Sequence, residues 1–318
     1  MNITVILCTY NRCDVLEKAL ESVSTSIVPQ GVTWEIIVVD NNSNDHTRNR
    51  VEEFCNRYPG RLRYVFEPRA GKSHALNMGI REAQGHILAF MDDDVIVESN
   101  WLQNLTNRLF AGEWMGAGGR IVPSQGFVPP VWLSLEGKMG RYALAPLALF
   151  DLGMHEGRLE EPPFGTNMAF RKEAFEKYGG FRTDLGPHPG SEIRGEDTEF
   201  GNRILAAGER LYYEPSAVVH HDVSETRLKR NYFLAWWFDK GRSEIREIGI
   251  PSALSFVGIP LYLLRRLAVW TLRWMVTLDP GKRFSCKLRV WGKIGEITEC
   301  RRLAVQANRG RRECDVED

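Results

Sequence analysis

Residues 86–101 read HILAFMDDDVIVESNW. An apolar run, Ile87 to Met91, stops at three carboxylates, Asp92, Asp93 and Asp94, and a second apolar run, Val95 to Val97, follows at once. A short apolar run ending in such a polarity step predicts a buried strand that delivers acids to the edge of a sheet. Three adjacent acids repel one another, so the pattern asks for a cation, and hard divalent cations take carboxylate oxygens. A solvated turn or a helix cap would carry the same residues. The rest of the chain decides between these readings.

Upstream, Ile3 to Leu7 is a short apolar β run, broken by Thr9-Tyr10-Asn11-Arg12, and Asp14 to Ser24 has helical spacing. Trp34 to Val39 is a second buried strand ending at Asp40, Asp45 to Tyr58 a helix, Leu62 to Phe66 a third strand and Ser73 to Ala83 a third helix. Strands alternating with helices predict βαβ units, a parallel sheet and an α/β fold. Ligands of such sheets sit beyond the carboxyl ends of the strands. Those ends carry Thr9 to Arg12, Asp40 and Asp92 to Asp94.

Two nucleotide motifs fail on inspection. Gly71-Lys72-Ser73 resembles the end of a P-loop, but Phe66 stands where its first glycine is required. Gly116-Ala117-Gly118-Gly119 resembles a dinucleotide fingerprint, but its third glycine would fall at Ile121 and no helix pattern opens there.

Downstream, Trp101 to Ala111 reads as a helix with Asn100 as N-cap, and Met115 to Val122 as a strand whose glycines admit another backbone or a ligand. Ser124 to Pro163, with Trp132, Tyr142 and Phe150, reads as a loop or lid lining a site, or as a surface insertion. Gly165 to Arg171 is strand-like and Lys172 to Tyr178 helical; a Gly- and Pro-rich loop spans Arg182 to Gly195. Glu196-Asp197 opens a helix to Ala207, where acids also serve simple capping. Leu211 to Tyr213 is a strand, and Pro215 to Val219 leads to His220 and His221.

The 318 residues, 43% hydrophobic and 26% charged, suffice for one large domain and an extension. The formal net charge is zero but uneven: residues 227–312 hold 19 Lys and Arg against 6 Asp and Glu. An acidic body with a basic, Trp-rich last third suggests an anionic surface as partner. Six cysteines show no CxxC spacing, which argues against zinc and disulfides and fits a reducing compartment. The sequence enters a strand pattern directly, without a signal-peptide pattern. Ile250 to Leu264 runs 15 residues without a charge before Arg265-Arg266, short of the roughly 20 that span a bilayer. With Trp270, Leu272 and Trp274 beyond, this predicts amphipathic helices in a membrane interface, or else an ordinary helical cap. The Trp and apolar runs favour a membrane over nucleic acid.

Taken in order, VILCTYNR at 5–12, EIIVVDNNSND at 35–45, RAGKSHALNMGIREAQGHILAFMDDD at 69–94, GTNMAFRKEAFEKYGGF at 165–181, GEDTEFGNRILAAG at 195–208 and YEPSAVVHH at 213–221 resemble family 2 glycosyltransferases. The resemblance implies the GT-A fold, a Rossmann-like, mostly parallel sheet flanked by helices, here with a C-terminal helical amphipathic extension. It divides the chain into a catalytic domain at 1–226 (nucleotide half 1–95, donor-sugar and acceptor half 96–226), a basic membrane-associating region at 227–308 and a disordered tail at 309–318.

The activity so implied is inverting transfer of a sugar from a nucleotide-diphosphate sugar, UDP-linked by the family's habit, to a hydroxyl on a surface glycan or lipid-linked acceptor. It would occur at the cytoplasmic face of the membrane with Mn2+ or Mg2+. By the same resemblance Asp94, with Asp92 and one histidine of the pair His220 and His221, His220 matching better, holds the metal. Thr9, Tyr10, Asn11, Arg12, Asp40, Arg69, Lys72, Asp92 and Asp93 bind the nucleotide, with Asn77 packing nearby. Gly165 and Asn167 border the donor sugar, Asp197 is the base and Glu196 its understudy. Alternative readings are a sugar-nucleotide nucleotidyltransferase and a non-catalytic glycan- or membrane-binding protein.

Overall fold

The computed structural model describes residues 1–133, 144–189 and 193–314. They fall into two compact units: 1–127, 148–189 and 196–223 form the first; 128–133, 144–147, 193–195 and 224–314 form the second.

The first unit is built on one sheet. Strands β1 (Ile3–Thr9), β2 (Trp34–Asp40), β3 (Leu62–Phe66) and β4 (Ile87–Asp92) are parallel, in the order β3-β2-β1-β4. All of β2 and nearly all of β1 and β4 are buried, because helices α1 (Cys13–Ser24), α2 (Thr47–Arg57) and α3 (Lys72–Glu82) cover the sheet. That is why these strands read as unbroken apolar runs.

Strand β5 (Val95–Val97), helix α4 (Trp101–Asn107), strands β6 (Gly116–Pro123), β7 (Gly157–Leu159) and β8 (Asn167–Arg171), and helices α5 (Lys172–Tyr178) and α6 (Glu196–Ala206) lead to β9 (Leu211–His221). The sheet continues past β4 as β8-β6-β9-β5, with β7 on β9. Five phenylalanines clamp α5 and α6 onto it. Phe175 stacks on Phe200 with centroids 4.5 Å apart, and Phe90, Phe170 and Phe181 pack around them. Each such pair adds about 0.5–1.5 kcal/mol beyond its buried area. This packing anchors the helix that presents Glu196 and Asp197.

Several local expectations change. Asn100 makes no side-chain cap on α4. The glycines of β6 admit neighbouring protein, the first of the two occupants expected: a Cβ at Gly116 would strike the Phe170 ring at 2.4 Å, and one at Gly119 the Ala217 carbonyl at 2.1 Å. That carbonyl sits where the β6–β9 register shifts, so Pro215 is absorbed in a bulge and Leu211 to His221 stays one strand. The 124–163 stretch is not one loop. Gly157–Leu159 joins the sheet, Phe150 bridges Ile121, and 128–133 and 144–147 belong to the second unit. Tyr142 lies outside the described residues.

The second unit contains helices α7 (Arg230–Ile248), α8 (Leu261–Val276) and α9 (Pro280–Cys314), with a small hairpin, β10 (Ser255–Phe256) and β11 (Ile259–Pro260), before α8. Prolines 251 and 260 and glycines 249 and 258 make a hairpin of a stretch whose composition predicted helix. A Cβ at Gly241 would lie 2.0 Å from the Gly292 carbonyl, so α7 and α9 cross in backbone contact. Buried Glu299 on α9 accepts from Arg246 at 2.6 Å, Arg242 at 3.2 Å and Arg302. Residues 309–314, expected in a disordered tail, continue α9; 315–318 lie outside the described residues.

Candidate active site

Register brings the strand-end residues together. Thr9 of β1 pairs with Asp40 of β2, and Cys8 with Asp92 of β4, so three carboxyl ends share one rim.

The triplet is partly neutralised from within the chain, by two cations against three carboxylates. Asp92 accepts from Lys72 Nζ at 2.5 Å and from Thr166 Oγ1 at 2.7 Å. Buried Asp93 accepts from Thr9 Oγ1 at 2.7 Å and Arg12 Nη1 at 2.9 Å. Asp94 meets the same guanidinium at 2.8 Å and lies 3.7 Å from Nε2 of His221. Burial pushes the Asp93 carboxyl up to about 6, against the pull of Arg12. Burial, the largest single effect, would raise Asp92 too, but the charge of Lys72 and the hydrogen bonds from Lys72 and Thr166 together leave the carboxyl lowered. Lys72, which burial alone would lower, is raised by Asp92 and then Glu196.

A second acidic site opens α6. Glu196 is buried, with Oε1 4.0 Å from Lys72 Nζ. Burial, then the charge of Asp197, pushes it up to about 7. Asp197 is only half-buried; its Oδ2 accepts the Gly165 N–H at 2.7 Å and its Oδ1 the Thr198 N–H at 2.7 Å. Adjacent residues therefore grip both acidic sites: Gly165 holds Asp197 and Thr166 holds Asp92. Thr166 was missed in the sequence, although it stands inside the quoted Gly165–Phe181 motif.

Other expected residues serve the scaffold around the site. Both Asp40 oxygens are engaged, one by Tyr64 Oη at 2.8 Å and one by the Ser43 N–H at 2.9 Å. Asn11, at φ 51°, accepts from the Asn44 N–H at 2.8 Å and holds the β1 loop to the β2 loop; Tyr10 stands exposed beside it. Arg69 folds back on buried Glu67 with two bonds of 2.8–2.9 Å, so its charge is spent there. Asn41 fixes that loop through the Glu67 and Arg69 carbonyls and the Gly71 N–H. Asn77 pins Phe181 through two bonds of 2.8–2.9 Å.

Two expectations are corrected. Asn167 does not border a sugar: it is fully buried, accepting from Trp101 Nε1 and donating to the Arg120 and Ala217 carbonyls, each at 2.8 Å. Strand alternation turns His220 away from the triplet. It pairs with exposed Ile96 and meets Glu98 at 3.2 Å, whereas buried His221 pairs with Val95 and faces Asp94.

Among the described residues, no three His, Cys, Asp or Glu side chains already converge as a ligand set. Asp94 and His221 do converge, in a triplet whose charge draws two protein cations. Carboxylate with imidazole fits Mn2+, and Mg2+ is commonly held by one or two carboxylates with substrate phosphates completing the shell. A 340 Å³ hollow lined by His86, Phe110, Lys172 and Glu176 lies at the opposite, amino end of β4 and has no part in this site.

Comparison with known proteins agrees with this architecture. A mannosyltransferase from Pyrobaculum calidifontis, solved with GDP-Man and Mn2+, superposes with a TM-score of 0.60 at 20% identity, over 95% of this chain and 86% of that one. The succinoglycan biosynthesis protein ExoM of Rhizobium meliloti is 28% identical over 74% of this chain and 70% of its own length. A glucosyl-dolichyl phosphate glucuronosyltransferase of Haloferax volcanii is 24% identical over 80% of each. The fold is that of the GT-A glycosyltransferases. The sequence profile described as Glycosyl transferase family 2 matches residues 4–179, and the chain belongs to that family. It is therefore an enzyme that transfers sugar from a nucleotide sugar, which sets aside the nucleotidyltransferase and non-catalytic readings.

Proposed function

We propose that the transfer is an inverting, metal-assisted displacement by an acceptor hydroxyl. The observation that carries this reading is the pairing of the two acidic sites through Gly165 and Thr166, one site suited to a diphosphate and the other to a proton. A divalent ion, Mn2+ or Mg2+, would be held by Asp94 and His221 with Asp92 beside them, and would neutralise the leaving diphosphate. Lys72, anchored on Asp92, adds positive charge there. Arg12 and Thr9 hold Asp93 and so fix the direction of the triplet. The exposed loop of Tyr10 and Asn11 offers the nucleotide a surface, and Asp40 shapes the turn behind it.

Asp197 is the better placed base. It is half-exposed and aimed by Gly165, whereas Glu196 is buried toward Lys72. A fixed carboxylate that takes the hydroxyl proton during attack needs no covalent intermediate. The donor is proposed to be a UDP-sugar, and the acceptor a surface glycan or lipid-linked sugar at the cytoplasmic face of the membrane. The Haloferax relative's lipid-phosphate substrate supports the latter.

The test is a panel of nucleotide-sugars with Mn2+, scored for release of nucleoside diphosphate. Asp94→Ala and Asp197→Asn should each abolish most of it. Release left untouched by both variants would sink the mechanism.

A further inference from the structure

No helix among the described residues is long and apolar enough to cross a membrane. Yet α8 is apolar on two sides. Its inner side places Leu263 in a buried cluster with Ile245 and Cys300. Its outer side carries Leu261, Leu264, Ala268, Leu272 and Met275, all exposed, the last two at 58% and 61%. At 100° per residue these five fall within about 80° of arc, a continuous stripe about 21 Å long. A soluble helix with one partner shows one such stripe; this one shows two.

The hairpin before α8 repeats the pattern. The Leu261 N–H donates to the Leu254 carbonyl at 2.9 Å, so hairpin and helix are joined at the first turn. The hairpin tip is Val257-Gly258, with φ of 51° and 76°. Two successive positive φ values suit Asn-Gly, and a β-branched residue there is strained. Val257 nevertheless occupies the position and stands 65% exposed beside Phe256. Water favours neither the strain nor the exposure.

Charge selects the occupant. Leu261 to Val276 contains Arg265, Arg266 and Arg273 and no acid. A second copy of this helix would set arginine against arginine, whereas anionic headgroups complement them. Trp270 lies under the guanidinium groups of Arg289 at 4.4 Å and Arg273 at 4.8 Å, an aromatic and cationic layer of the kind that settles at headgroup depth. We propose that α8 and the β10–β11 tip form a surface that lies on an anionic bilayer. The Leu261-to-Met275 stripe and Val257 enter the acyl boundary, and the arginines sit among the phosphates. This assigns a surface to the membrane-side location proposed above and rests on that reading.

The experiment is co-sedimentation of the full chain with vesicles of phosphatidylcholine alone or with one third phosphatidylglycerol. Binding should require the anionic lipid and fall with salt. L272D/M275D should reduce partition at least about a hundred-fold. Each Arg→Gln among 265, 266 and 273 should reduce it about five-fold. Val257→Asn relieves the turn, so it should fold at least as well as wild type yet partition about ten-fold less. Nucleoside diphosphate release from a soluble nucleotide-sugar should stay unchanged in all of them, so failure of the surface and failure of the transfer reading appear in different assays. Sedimentation of V257N and L272D/M275D equal to wild type would overturn the proposal. So would a dimer that L272D/M275D dissociates, with no vesicle binding by wild type.

Discussion

Gly165 donates its backbone N–H to Asp197 Oδ2 at 2.7 Å, and a Cβ at Gly165 would stand 3.2 Å from that oxygen. Glycine here leaves the proposed base room to settle on the amide. Gly165→Ala would push the carboxylate by a few tenths of an ångström, enough to spoil a hydrogen-bonded proton transfer. We expect kcat to fall about ten-fold, since small misplacements in near-attack geometry are costly. KM for the nucleotide-sugar and the thermal midpoint should change little. Steady-state kinetics with calorimetry checks this.

Thr166 offers a complementary test on the other acidic site. Its hydroxyl is one of two groups holding Asp92. Thr166→Val keeps the shape and removes a charge-assisted hydrogen bond worth about 1.5–3 kcal/mol. Transfer should drop about ten- to a hundred-fold, and Thr166→Ser should restore most of it. Equal losses in both variants would mean that packing, not the hydroxyl, matters.

The histidine pair separates by strand parity. His221→Gln should weaken Mn2+ binding about ten-fold or more, as loss of one ligand or its orienting partner does. His220→Gln should leave it near wild type, because that ring meets Glu98 instead. Titration of Mn2+ in the presence of nucleoside diphosphate reads both. The reverse ranking would refute the assignment.

Much of this was legible in the sequence because parallel strands are unambiguous. A buried strand reads as a continuous apolar run, its polar end marks the ligand rim, and register follows from the βαβ order. Asp92 to Asp94, Glu196 and Asp197 were singled out that way or by resemblance, and the fold sets them in two acidic sites gripped by Thr166 and Gly165. What could not be read was direction. His220 and His221 differ only by which face of β9 each takes, and that depends on pairing with β5. Asn167 looks like a polar site residue until Trp101, Arg120 and Ala217 fold around it from distant sequence. Arg69 carries a charge whose partner, Glu67, lies two residues away, yet only the turn fixed by Asn41 brings them together. The exposed side of α8 is invisible to periodicity, since both of its sides are apolar.

Glu67 makes the pH dependence of the scaffold testable. Hydrogen bonds from Arg69, against the opposing effect of burial, lower its carboxyl to about 2 from the usual 4.5. A carboxyl lowered on folding contributes stability above its unfolded value and loses it as pH falls through the folded one. Glu67→Gln should therefore melt below wild type at pH 7, by about 2–4 °C for each kcal/mol lost. The gap should close between about pH 4.5 and 2. A gap constant with pH would show that the charge is not what matters.

Glu196 should behave with the opposite sign. Burial and the neighbouring Asp197 charge push its carboxyl up to about 7 from 4.5. A raised carboxyl contributes stability below its unfolded value, and this is lost as pH rises through about 7. Glu196→Gln imitates the protonated form at every pH. Its melting temperature relative to wild type should therefore rise from pH 5 to pH 8.5, by the equivalent of about 1–3 kcal/mol. Lys72 keeps its 2.5 Å contact with Asp92 in that variant, so the cation is not stranded. The same protein also assigns the base. With Asp197 as base, Glu196→Gln should retain transfer within about ten-fold, and Asp197→Asn should lose about 10²–10⁴-fold. If Glu196→Gln is the inactive variant, the two carboxylates exchange roles, and the pH–rate profile of the Asp197 variant should then show the Glu196 ionisation moved below its wild-type position, because the Asp197 charge that helps to raise it is gone.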